Sequence, residues 1–135
     1  MVANKEASKA RGHYFHGLVF GKSNAEIKPS FENGRSIERS SELLFAPVAA
    51  FQYYVQGFAA YLMSIKAKGD SDAANSFLGL LEAREKRDPG SVKSIYAALA
   101  DSIEFIGSHQ EHFEADQDIY GDFVDRAEIV RHACS

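Results

Sequence analysis

Between Leu43 and Ile65 the chain runs for 23 residues, LLFAPVAAFQYYVQGFAAYLMSI, without a formal charge. A segment this apolar must be covered by something, and whatever covers it decides the fold. Its length alone makes it a candidate membrane span, for which about 18 uncharged residues suffice. Pro47, Gln52, Gln56, Ser64 and three tyrosines dilute the hydrophobicity, however. The segments after it are also two-faced and would lose their burial partner if it entered lipid. The reading that follows is a buried central helix in a water-soluble bundle, with no membrane expected. Pro47 would sit in its first turn, where a missing N–H costs least, and Gly69 would stop it after Lys66 and Lys68. Small residues Ala46, Ala50, Gly57 and Ala60 allow close approach of another helix, so a homodimer through 43–65 is a second use of the same surface. Gln52 and Gln56 lie one turn apart and share a face, where they would form the polar floor of a pocket or a dimer seam.

Three further helices are expected. One opens with Ser71 or Asp72 as N-cap, carries Ala74, Phe77, Leu78 and Leu81 as its stripe, and ends at Asp88-Pro89-Gly90. The next starts at Ser91, with Val92, Ile95, Tyr96, Leu99, Ile103, Ile106 and Phe113 on one face. After a break at Glu114–Asp116, the last carries Ile119, Phe123, Ala127 and Val130. Connections of about three residues force neighbours to run antiparallel. The fold class predicted is therefore all-α, an antiparallel up-down four-helix bundle over residues 41–135. Residues 1–40 differ in character: five of the chain's turn-formers (Gly12, Gly17, Gly21, Pro29, Gly34) interrupt short apolar runs. They read as an N-terminal arm, irregular or a short β-hairpin, packed on the bundle.

Composition excludes several classes. With 45% hydrophobic and 25% charged residues in a chain of 135, the sequence is ordinary for a globular domain and unlike a disordered or fibrous one. The one cysteine, Cys134, permits no internal disulfide. The first residues lack the apolar stretch of a secretory signal, so a reducing, cytoplasmic home is expected. Charge is uneven: residues 1–39 net +3, whereas residues 101–135 hold nine acids against Arg126 and Arg131, a net of −7. Nucleic acid is not an expected partner, because phosphate contacts need clustered Lys and Arg that the bundle lacks.

Motifs for chemistry are weak. Gly17 to Ser23 has three residues between its glycines where a phosphate loop needs four, and Pro29 follows too soon for a helix. Asp116-Gln-Asp118-Ile-Tyr120-Gly121 begins like a calcium loop but lacks the twelfth-position Glu, Ala127 standing there. Its acids instead suit the N-terminus of the last helix. His13 and His16 form one H-x-x-H and His109 and His112 a second. On a helix the second pair would share a face, and with His132 they are the candidate metal ligands of a metal-binding enzyme. Cys134 has no assured base beside it, and no G-x-S-x-G elbow occurs. No motif calls for a cofactor.

Arg126 and His132, with five residues between them, resemble the R-x(4–6)-H spacing of the HEPN group of helical-bundle RNases. The resemblance covers one helix end. It implies a dimeric RNA-cleaving site built from Arg126 and His132 of both subunits, and Ala127 departs from the polar residue that usually follows the Arg. A third possibility is a small-ligand sensor lined by Phe51, Tyr54, Phe58 and Tyr61. The sequence as a whole points away from an enzyme. It favours a bacterial or phage interaction module of immunity, antitoxin, inhibitor or adaptor type, whose acidic face at Asp116, Asp118, Asp122 and Asp125 meets a basic protein partner.

Overall fold

The charge-free segment is not one helix. In the computed structural model, which describes residues 35–135, it is divided at Pro47. Leu43 and Leu44 close α1 (Ser36–Leu44), Phe45 and Ala46 turn the corner, and α2 (Val48–Leu62) begins directly after Pro47. Proline explains the break. It has no N–H to continue α1 and disfavours helical backbone at Ala46, and its own ψ of 149° lies outside the helix.

The remaining elements are α3 (Ser71–Arg87), α4 (Tyr96–Ser108), a short α5 (Gln117–Tyr120) and α6 (Phe123–Ala133). Single 3-10 turns lie at Ile65–Ala67 and Lys93–Ile95, and no strand occurs among the described residues. The all-helical class is as expected. Among the described residues there are five helices of nine residues or more, one beyond the four foreseen. The first of them, α1, starts inside the stretch assigned to the arm. The hairpin, His13, His16 and the Gly17–Ser23 run lie outside the described residues.

Boundaries shift for identifiable reasons. Asp70, one residue ahead of the expected cap, accepts the Ala73 N–H at 3.1 Å and starts α3. At the other end of α3 the carboxylate of Glu85 gathers the N–H groups of Gly90, Val92 and Lys93. It holds Val92 in the turn, so α4 begins at Tyr96 rather than at Ser91. Gly90 adopts φ +97°, a left-handed conformation that a Cβ would disfavour. α4 ends at Ser108 and does not reach Phe113.

α2 touches α1, α3 and α4, while α6 closes against α3 and α4. Phe51, Tyr54, Val55, Phe58 and Leu62 of α2 meet Phe77, Leu78 and Leu81 of α3 in a core that Leu99, Ile103, Ile106, Phe113, Phe123 and Val130 complete. Phe58 and Phe77 pack edge-on with centroids 5.2 Å apart. A Cβ at Gly107 would come within 3.0 Å of the Ala127 Cβ, so α4 and α6 approach closely there. Among the described residues, no helix is long and apolar enough to cross a membrane.

Candidate functional site

One amide organises the acidic end of the chain. Gln110, just beyond α4, donates through Nε2 to the carbonyls of Ala115 (3.0 Å) and Gly121 (2.9 Å). Its Oε1 accepts the Phe123 N–H at 2.9 Å. These bonds gather the segment between α4 and α6 into a closed loop. Inside it Asp116 accepts from the Asp118 N–H (2.8 Å) and Asp122 from the Val124 N–H (2.9 Å), so both cap helices. Asp118 and Asp125 occupy the first turns of α5 and α6, where the helix dipole favours an anion, and both are exposed.

Two apolar side chains stand among these acids. Ile119 is 72% exposed and Val124 59%. The sequence pattern put Ile119 in the core stripe of the last helix. The structure corrects this, because α5 stops at Tyr120 and Gly121, at φ +81°, redirects the chain before α6 begins. Ile119 is thereby out of register with Phe123, Ala127 and Val130. Among the described residues, none of Asp116, Asp118, Asp122 and Asp125 makes an ion pair.

Arg126 does not offset them at the surface. Its Nη1 donates to Asn75 Oδ1 (2.5 Å) and to the Tyr120 carbonyl (2.9 Å), and its Nη2 to the Asn75 carbonyl (3.3 Å). Partial burial lowers its pKa from the ordinary arginine value, with Glu82 pulling the other way. The guanidinium thus ties α5 and α6 to α3. His132 is exposed, with Nε2 3.4 Å from Glu128 Oε2, and Glu128 also pairs with Arg131. Six positions along a helix rotate the side chain by about 120° net, so Arg126 and His132 lie on different faces of α6.

Because α4 ends at Ser108, His109 and His112 do not share a helical face as expected. His109 is the C-cap residue, with Nδ1 2.8 Å from the Phe105 carbonyl and its ring stacked 4.2 Å from Phe105. The His112 ring meets Phe105 and Phe113 edge-on, and its carbonyl accepts the Gly69 N–H at 2.9 Å. Among the described residues, no three His, Cys, Asp or Glu side chains are grouped to hold a metal ion. Cys134 is buried at the end of α6, where burial, with Glu85 adding to it, pushes the thiol's pKa up and disfavours the nucleophilic thiolate.

Gln52 donates to the Ser91 carbonyl (2.9 Å) and to Ser94 Oγ (2.8 Å), holding the α3–α4 connection against α2. Gln56 donates back to the Gln52 carbonyl at 3.1 Å. Phe51, Tyr54, Phe58 and Tyr61 are core residues, and Tyr61 Oη donates to Asp70 Oδ2 at 2.5 Å.

A different concavity opens at the α1–α2 corner. It holds about 550 Å³ and is lined by Phe45, Ala46, Pro47, Val48, Arg84, Arg87 and Asp88. Arg84 is 3% exposed. Its Nη1 donates to the carbonyls of Leu43 (3.2 Å), Leu44 (3.0 Å) and Ala46 (2.6 Å), and its Nη2 to Asp88 Oδ2 (3.2 Å). Sequence reasoning passed over this residue, although a signal existed: Phe77, Leu81 and Arg84 follow i, i+4, i+7 spacing, which puts a cation on the buried stripe. No known protein family matches the chain, and no curated protein or solved structure does either.

Proposed function

We propose that the chain is a protein-interaction module of immunity, antitoxin, inhibitor or adaptor type, working in the cytoplasm of a bacterium or its phage. Its partner is a basic protein, and its contact face is the corner between α5 and α6. One observation carries this reading: Ile119 and Val124 are exposed within ten residues that also hold Asp116, Asp118, Asp122 and Asp125. Apolar side chains supply affinity once covered, while surrounding acids steer a cationic surface and reject an anionic one. Among the described residues, the two cations of α6 do not offset that field freely, Arg126 being bonded inward and Arg131 paired with Glu128. In the same reading the helices alternate as an up-down bundle.

Asp118→Lys with Asp125→Lys tests the charge without removing either helix cap, and Ile119→Ala tests the anchor. Proteins captured from the host by the wild-type chain at low salt should be lost by both variants. The double reversal should weaken association at least about tenfold and flatten its salt dependence. Capture that both variants retain unchanged would remove the proposal.

A further inference from the structure

The end of the bundle that bears the acids also bears a second exposed apolar patch, of opposite charge. α2 ends there, α3 begins there, and the segment between α4 and α6 folds beside both. The Gly69 N–H donates to the His112 carbonyl at 2.9 Å. Ser71 Oγ donates to Tyr120 Oη at 3.2 Å, and Tyr120 Oη to Asp72 Oδ1 at 3.0 Å. The turn after α2 is therefore a neighbour of the α5–α6 corner. That turn buries Ala67 and leaves Ile65, Lys66 and Lys68 exposed, with Met63 exposed just ahead of them. Among the described residues, the three most exposed large hydrophobic side chains are Ile65 at 79%, Ile119 and Val124, and all three lie at this end. Lys68, like the four aspartates, forms no ion pair among the described residues. The two patches are built alike and carry opposite sign: Met63 and Ile65 with two lysines, Ile119 and Val124 with four aspartates. Exposed apolar side chains grouped in this way mark a contact surface. Within one chain both patches face outward and neither covers the other. Across a two-fold axis each meets its opposite, and the contact is made twice.

We propose that this end of the bundle docks on the same end of a second copy of the chain. The 63–68 turn of each protomer covers the 116–125 corner of the other, giving a two-fold dimer. The inference rests on the reading of that corner as a contact face. Complementary patches at opposite ends of a molecule would join copies into an open chain, whereas two at one end close the pair. Four aspartates face only two lysines, so the dimer is weak and a more basic surface displaces the second copy. Self-association and capture of a basic protein therefore compete for the same acids.

Sedimentation equilibrium of the purified full chain over about 0.01–1 mM tests this without any host protein. The wild type should approach twice the monomer mass and stop there. Lys66→Glu with Lys68→Glu, and separately Asp118→Lys with Asp125→Lys, should each weaken self-association at least about tenfold, because each sets like charges across the axis. Mixed one to one, the two reversed proteins should form a heterodimer within about threefold of the wild-type affinity, since every contact again joins opposite signs. That recovery, with circular dichroism on each variant, separates lost contact from lost fold. Ile65→Ser should weaken the dimer about fivefold and leave unfolding unchanged. The proposal is overturned by a chain that stays monomeric at about 1 mM, by assemblies that keep growing beyond two, or by reversed proteins that do not pair. A monomer that still captures a basic host protein overturns the dimer alone and leaves the acidic contact face standing.

Discussion

Replacing Glu85 by glutamine tests how the α3–α4 connection is held. Glu85 is 8% exposed, and its carboxylate accepts the N–H groups of Gly90 (2.6 Å), Val92 (2.8 Å) and Lys93 (3.0 Å). Glutamine preserves the shape but has one acceptor oxygen. Its best placement keeps Val92 and Lys93 and turns its NH2 toward Gly90, donor against donor. Losing one charge-assisted bond, with an N–H left unmatched, should cost about 2–3 kcal/mol at neutral pH. Burial pushes the Glu85 pKa up, but the three N–H donors, helped by Lys93, outweigh it and hold the pKa below the ordinary 4.5. A carboxyl depressed in the folded state stabilises fully above its unfolded pKa, and that stability is lost as pH falls through the folded value. The deficit of Glu85→Gln should therefore be complete at about pH 7 and shrink as the pH is taken down toward about 3. Glu42, whose pKa burial raises, titrates in both proteins and cancels in the difference. Urea unfolding followed by circular dichroism across that range measures it. A deficit below about 1 kcal/mol at neutral pH, or one that does not change with pH, would refute the reasoning.

Two other substitutions probe the remaining polar clamps. Arg84→Met keeps the aliphatic volume but leaves the carbonyls of Leu43, Leu44 and Ala46 without their donor. Relief of a buried charge offsets part of this, so the urea midpoint should report a loss of about 2–4 kcal/mol, and a loss under about 1 would deny that the guanidinium pins the corner. Gln110→Ala removes the bonds to Ala115, Gly121 and Phe123 and should cost about 2 kcal/mol while speeding hydrogen exchange at the Phe123 amide. Unaltered exchange there would mean that the loop is closed by something else.

These clamps also mark where the sequence stops being readable. The stripes of α3 and α4 are plain in it, because Phe77, Leu78 and Leu81, and Leu99, Ile103 and Ile106, recur at helical spacing and are all buried. α1 left no such trace. Its most buried residues are Ser36 and Leu43, with Ser40 half-buried on the same face, so no apolar period announces it. The break at Pro47 was equally hidden, since a proline next to a helix reads as a first-turn residue unless the corner before it is known to be supported. That support comes from Arg84, 38 residues beyond Ala46 in sequence. Local pattern cannot register a bond of that reach.

The site residues divide along the same line. The helix-end placement of Asp116, Asp118, Asp122 and Asp125 was legible, Asp116 and Asp122 as caps and the other two in first turns, because it is a local property set by neighbouring N–H groups and the dipole. Ile119 was misplaced because periodicity carried a helix straight through Gly121, where the backbone turns. His109 and His112 were placed on one helical face for the parallel reason that α4 was extended past Ser108. The errors at Pro47 and Gly121 each lengthened a helix across a point where a side chain distant in sequence, or a left-handed glycine, redirects the backbone. The displacement of Ile119 is the consequential one: a hydrophobe expected to stabilise the core is 72% exposed beside the acids, adding little buried area to the monomer. Were it only a surface accident, Ile119→Ala would alter neither stability nor capture of a partner. If it anchors a basic protein, the substitution leaves the monomer's unfolding unchanged and weakens association alone, which separates a contact residue from a structural one.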